Sequence, residues 1–234
     1  MSDAPGRISW LDGWRGAALY LMIVYHLLFD CVLFGWLPYG LLSTAPMVLF
    51  ERVIAFSFIL CAGVSATLSR SNVRHGLITL AAGGVVTAAS FAVGAPIRFG
   101  VLQFLGLAML IYAALERPLE RVPERIAPAL WGGLFIAARL VTDRVTVPVR
   151  WLFWLGLRYD GFVSFDYFPL LPFIFVFFLG VWMGRLARKR GDAFPLAGKT
   201  APRWLTWPGR RSLAIYLAHQ PILYGACLLV YLIA

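Results

Sequence analysis

The 234-residue chain is short of charge: Asp, Glu, Lys and Arg make up 14% of it, against about 25% in soluble domains. So little polar surface cannot coat a water-soluble globule, and it also excludes disorder, collagen and coiled coil. Cysteine is scarce too. Cys31, Cys61 and Cys227 all fall in apolar runs with no CxxC spacing, so neither a disulfide staple nor a metal site is expected, and they read as small buried hydrophobes. No 20–50-residue period recurs and no inverted repeat is visible, which argues against a solenoid and a repeat-built transporter. A cleaved signal peptide is also unexpected. Asp3 and Asp12 interrupt any basic leader, and no small-x-small site follows the first apolar run, so that run reads as a retained anchor.

What is abundant is apolar sequence, 61% of the chain, and positive charge, 21 Lys and Arg against 11 Asp and Glu. About 20 mostly apolar residues cross the roughly 30 Å hydrocarbon core. Seven stretches qualify, near 16–37, 48–68, 76–95, 100–115, 127–142, 168–187 and 212–233. The fifth is the poorest, opening on Pro128 and carrying Arg139. The run 147–157 is too short and too charged to cross, and reads as an interfacial or re-entrant helix with Trp151 and Trp154 at headgroup depth. With the N-terminus inside, 15 of the 21 basic residues fall on the cytoplasmic side. The expectation is therefore an all-α transmembrane bundle of seven spans, N-in and C-out, forming one domain over 1–234. Arg185–Arg211 would be its one long cytoplasmic loop. The charge is then topology, and nucleic acid is not needed to explain it.

Ionisable groups inside spans are costly and point to function. The first span holds Asp12, Arg15, His26 and Asp30. His26 lies eleven residues beyond Arg15, about 16 Å deeper at 1.5 Å per residue, and Asp30 follows one turn later on the same face. Such a pair either satisfies itself in the bundle or prepares a general base, the carboxylate fixing the imidazole's tautomer. The last span carries His219-Gln220-Pro221 after Gly209-Arg210-Arg211-Ser212. His219 comes roughly 10 Å into the membrane, so the two histidines could line one cavity. At the outer face Asp160 and Asp166 stand before the prolines that open the sixth span.

These residues carry a resemblance. Leu11-Asp12-Gly13-Trp14-Arg15-Gly16 with Tyr25-His26 and Asp30 resembles the opening of bacterial members of the heparan-alpha-glucosaminide N-acetyltransferase catalytic-domain family. Asp166-Tyr167-Phe168-Pro169-Leu170-Leu171-Pro172 is similar to an inner segment of that family, and Gly209-Arg210-Arg211-Ser212 through His219-Gln220-Pro221 to its closing motif. Arg15-x10-His26 also resembles a motif of the wider integral-membrane acyltransferase superfamily. The resemblance implies an acyltransferase of the bacterial inner membrane, with acyl-CoA (acetyl-CoA) as co-substrate and no permanently bound cofactor. The acyl group would pass to an amine or hydroxyl of a carbohydrate or envelope acceptor on the far side. His26 would be the base and Asp30 its orienting carboxylate. Arg15, Arg70, Arg74, Arg210, Arg211 and His219 would serve the acyl-CoA, and Asp166 and Asp160 the acceptor side. Larger members of the superfamily have more spans, so a second protomer in a homodimer would be one source of missing acceptor contacts. From a different class, a small proton-coupled transporter or flippase would use His26, Asp30 and His219 as a relay.

Overall fold

A computed structural model describes residues 9–191 and 198–233. Asp3, Arg7 and the middle of the Arg185–Arg211 loop lie outside the described residues. Eight α-helices are described: α1 (Ser9–Leu33), α2 (Ala45–Ala66), α3 (Asn72–Ala92), α4 (Val101–Glu120), α5 (Ala127–Arg144), α6 (Leu170–Arg190), α7 (Arg203–Arg210) and α8 (Ser212–Ile233). No strand occurs among the described residues. Six of these helices, all but α5 and α7, are long and apolar enough to cross a membrane, so the chain is an integral, multi-pass membrane protein. The difference from seven lies in α5, which forms a helix of 18 residues but carries Arg139, Asp143 and Arg144 at its end. The run 147–157 is realised as a short 3-10 helix, Arg150–Leu155, with Trp151 exposed. The 185–211 loop is not wholly loop, because α7 forms within it.

The chain divides into two compact units, Met1–Phe58 with Pro195–Ala234, and Ile59–Phe194. In the first, α1 is the central element. Leu19 and Met22 of α1 form a core with Ile54 of α2, against which Tyr25, Phe50, Ile215 and Tyr216 pack. Helix α7 runs antiparallel along the first half of α1: Tyr20 bonds the Trp204 carbonyl at 3.1 Å, while Arg210 reaches Asp12. Small residues make this approach possible, as in membrane helix pairs generally. A side chain at Gly16 would run into the Leu205 carbonyl, and one at Gly209 into that of Asp12. The chain reverses at Arg211, and α8 then runs parallel to α1. Successive contacts rise together on both helices, from His26 with His219, through Asp30 with Gln220, to Phe34 with Tyr224.

In the second unit α3 packs on α4 through Gly76 and Gly106, where a Cβ on either would press the other's backbone. Gln103 of α4 donates to the Gly83 carbonyl and the Thr87 hydroxyl of α3. Helix α5 lies on α6 through Trp131, stacked on Phe175 and against Phe178. Arg185 of α6 caps the far end of α4, its guanidinium donating to the carbonyls of Leu119 and Glu120 at 2.7 Å each. These orphan carbonyls at a helix C-terminus are where a cation is most useful.

Candidate functional site

The first unit gathers the in-span polar residues on one side of α1. At the N-terminal end of α1, Asp12 is 3% exposed and accepts from two guanidiniums. Arg15 Nη1 lies 3.0 Å from one oxygen, and Arg210 Nε 3.3 Å from the other. A carboxylate this buried requires charge-assisted partners, and Arg15 alone, three residues away on its own helix, supplies only half of what it takes. The trio keeps a net positive charge of one.

Deeper in the unit the two imidazoles meet. The rings of His26 and His219 are 4.8 Å apart, edge to face, so helices from opposite ends of the sequence bring both histidines to one place. His219 is buried, at 7% exposure. Its Nδ1 lies 2.5 Å from the Tyr216 carbonyl. Because a carbonyl only accepts, Nδ1 carries the proton, and Nε2 is left with its lone pair. That Nε2 is buried and has no hydrogen-bond partner among the described residues.

Asp30 corrects the sequence-based expectation. It was expected to orient His26 from one turn away, but among the described residues no hydrogen bond joins the two. Asp30 is wholly buried, and its Oδ1 accepts instead from Gln220 Nε2 at 2.9 Å. The parallel packing of α1 and α8 decides this, because it places an amide from the neighbouring helix against the carboxylate. Asp30 Oδ2 and Gln220 Oε1, like His219 Nε2, are buried without a partner among the described residues. Nε2 and Oε1 are acceptor atoms, and Oδ2 is a third when the carboxyl is ionised. Buried polar atoms are overwhelmingly satisfied in folded proteins, so these three orphaned atoms, on residues that α1 and α8 bring together, mark a candidate site for a polar ligand.

The other expected site residues fall elsewhere. Arg211 lies over the Trp207 ring, 4.7 Å from its centroid. Arg70 and Arg74 belong to the second unit at the start of α3, where the Arg74 backbone N–H donates to the Ser71 hydroxyl cap. Asp166 works as a cap as well: its Oδ2 accepts from the Val101 N–H at 3.1 Å, at the N-terminus of α4. Asp160 is exposed in a turn. Beside Asp166, the Tyr167 hydroxyl donates to the Phe153 carbonyl at 2.6 Å, and burial pushes it up to about 12. No metal-ligating cluster of His, Cys, Asp and Glu occurs among the described residues. Two functional candidates were missed in the sequence, Gln220 and the pairing of Asp12 with Arg210. The signal available for Gln220 was a second polar residue beside an in-span histidine.

No curated protein and no solved structure matches the chain. Residues 7–221 match a family described as heparan-alpha-glucosaminide N-acetyltransferase, catalytic. That match covers α1 and α2, the whole second unit, and α8 as far as Pro221, so it includes both histidines, Asp30 and Gln220. The chain belongs to the heparan-alpha-glucosaminide N-acetyltransferase catalytic family, whose members' activity is acyl transfer.

Proposed function

We propose that the protein transfers an acyl group, acetyl by its family's activity, from acyl-CoA to an amine or hydroxyl of a carbohydrate or envelope acceptor. The observation that carries the mechanism is the bare, buried Nε2 of His219, its tautomer set by the Tyr216 carbonyl. The acceptor's N or O attacks the thioester carbonyl carbon, its proton goes to His219 Nε2, and the C–S bond breaks. The departing thiolate takes that proton and leaves as free CoA. His26, edge-on to the same ring, positions that imidazole, so the two histidines divide the role first expected of His26 alone. Asp30 Oδ2 and Gln220 Oε1 accept from the remaining N–H of an incoming amine, or from a second hydroxyl of a carbohydrate acceptor. The positive trio Asp12, Arg15 and Arg210, with Arg211, attracts the donor's phosphates at the N-terminal end of α1.

Donor and acceptor meet from opposite sides in this reading. The N-in orientation rests on the excess of Lys and Arg on that side. The parallel course of α1 and α8 supports an odd number of crossings, and α5 is then the seventh.

The test is slow hydrolysis of acetyl-CoA by the purified protein, with water standing in for the acceptor and free thiol as the readout. His219→Gln should lower that rate by about 10²–10⁴-fold, the usual worth of a general base, and leave acetyl-CoA binding by thermal shift intact. Hydrolysis by H219Q at the wild-type rate would falsify the assignment. A wild-type protein that ignores acetyl-CoA but moves substrate along a pH gradient would favour the proton-relay transporter.

A further inference from the structure

The tryptophan-lined groove between α7 and the start of α1, with Lys199 and Arg203 beside it, is not used by the chemistry above. Trp10, Gly13, Trp14 and Ala17 recur at helical spacing along one side of α1. Together with Lys199 and Leu205 they bound a groove of about 350 Å³. Its walls are apolar, with the Trp10 and Trp14 rings stacked 6.4 Å apart and the exposed Lys199 at the rim. Helix α7 continues the same surface. It turns Thr206, Pro208 and Gly209 inward and leaves Arg203, Trp204 and Trp207 exposed, the two indoles at 63% and 50%.

Charge says what covers this face. Residues 198–211 contain Lys199, Arg203, Arg210 and Arg211 and no acid. Arg210 is engaged by Asp12, while Lys199, Arg203 and Arg211 form no ion pair among the described residues. Indoles favour the headgroup layer of a bilayer, and Lys and Arg beside them meet lipid phosphates. An apolar groove opening beside such residues suits an acyl chain whose headgroup is anionic. We infer that this face is a binding site for an anionic phospholipid, with one acyl chain in the α1 groove and its phosphate between Lys199 and Arg203. The inference is independent of acyl transfer and would stand if that reading failed.

The protein is to be placed in nanodiscs of equal phosphatidylglycerol and phosphatidylcholine, then stripped into detergent, and the retained lipid identified by native mass spectrometry. Wild type should retain phosphatidylglycerol in preference, by about fivefold per basic contact. Lys199→Gln with Arg203→Gln should bring that preference close to parity, and Ala17→Phe, which fills the groove but keeps the charges, should reduce the lipid retained. Arg188→Gln with Arg190→Gln, the same loss of charge at the end of α6, should keep the preference. Equal retention of the two lipids by wild type, or an unchanged preference in K199Q/R203Q, overturns the proposal. So does an equal loss in R188Q/R190Q, or displacement of the retained lipid by acetyl-CoA, which would assign the groove to the acyl donor.

Discussion

Gln220→Glu replaces the one side-chain donor that Asp30 has among the described residues with an oxygen, at nearly unchanged size. The wild-type contact is an amide N–H on a wholly buried carboxylate at 2.9 Å. A hydrogen bond to a charged group contributes about 1.5–3 kcal/mol. In Q220E that donor is lost and a second carboxyl faces the first in a buried position. At neutral pH the loss should be at least the bond itself, about 1.5–3 kcal/mol. At about 2–4 °C per kcal/mol for a chain of this size, the melting temperature should drop by roughly 3–12 °C. Adding Asp30→Asn reverses the donor and acceptor and restores both the bond and the net charge. D30N/Q220E should recover most of the loss, with a coupling of about 1.5–3 kcal/mol in the double-mutant cycle. The assay is thermal unfolding in one detergent at neutral pH. If the two substitutions simply add, the Asp30–Gln220 contact contributes nothing and the orphaned-acceptor cluster loses its anchor. A swapped pair that folds but does not hydrolyse acetyl-CoA would place the carboxylate's position, and not its presence, in the chemistry.

Two further predictions concern carboxylates whose roles the structure separates. Asp12→Asn should leave Arg15 and Arg210 facing each other beside a neutral amide at a buried position, at about 3–5 kcal/mol. Thermal unfolding should recover when Arg210→Met is added, and if D12N melts with wild type the trio is not a buried ion cluster. Asp166→Ala should lose about 0.5–2 kcal/mol as a helix cap and Asp166→Asn much less, with the KM for the acceptor the same in both. A KM rise in D166N would return Asp166 to the acceptor site.

Much of the architecture is legible from composition, because crossing a membrane imposes a length and an apolarity that read directly from the chain. α5 is the instructive exception. Its helix forms as expected, but Arg139, Asp143 and Arg144 dilute its hydropathy, and six helices rather than seven are long and apolar enough to cross. The site divides in the same way. Spacing along one helix puts Asp30 one turn beyond His26, and depth counted from each helix start suggests that His26 and His219 could line one cavity; their rings lie 4.8 Å apart. Neither spacing nor depth says which neighbouring helix supplies a carboxylate's donor. Asp12 takes its second guanidinium from 198 residues away and Asp30 its amide from 190 away, so helical periodicity offered only the nearer candidates, Arg15 and His26. For Asp12 the local partner is real and incomplete. For Asp30 it is displaced, since an amide pointing in from α8 can meet the carboxylate head-on while His26 turns its ring to His219. That rearrangement leaves the imidazole with the bare nitrogen on α8, and it moves the proposed base from the first span to the last.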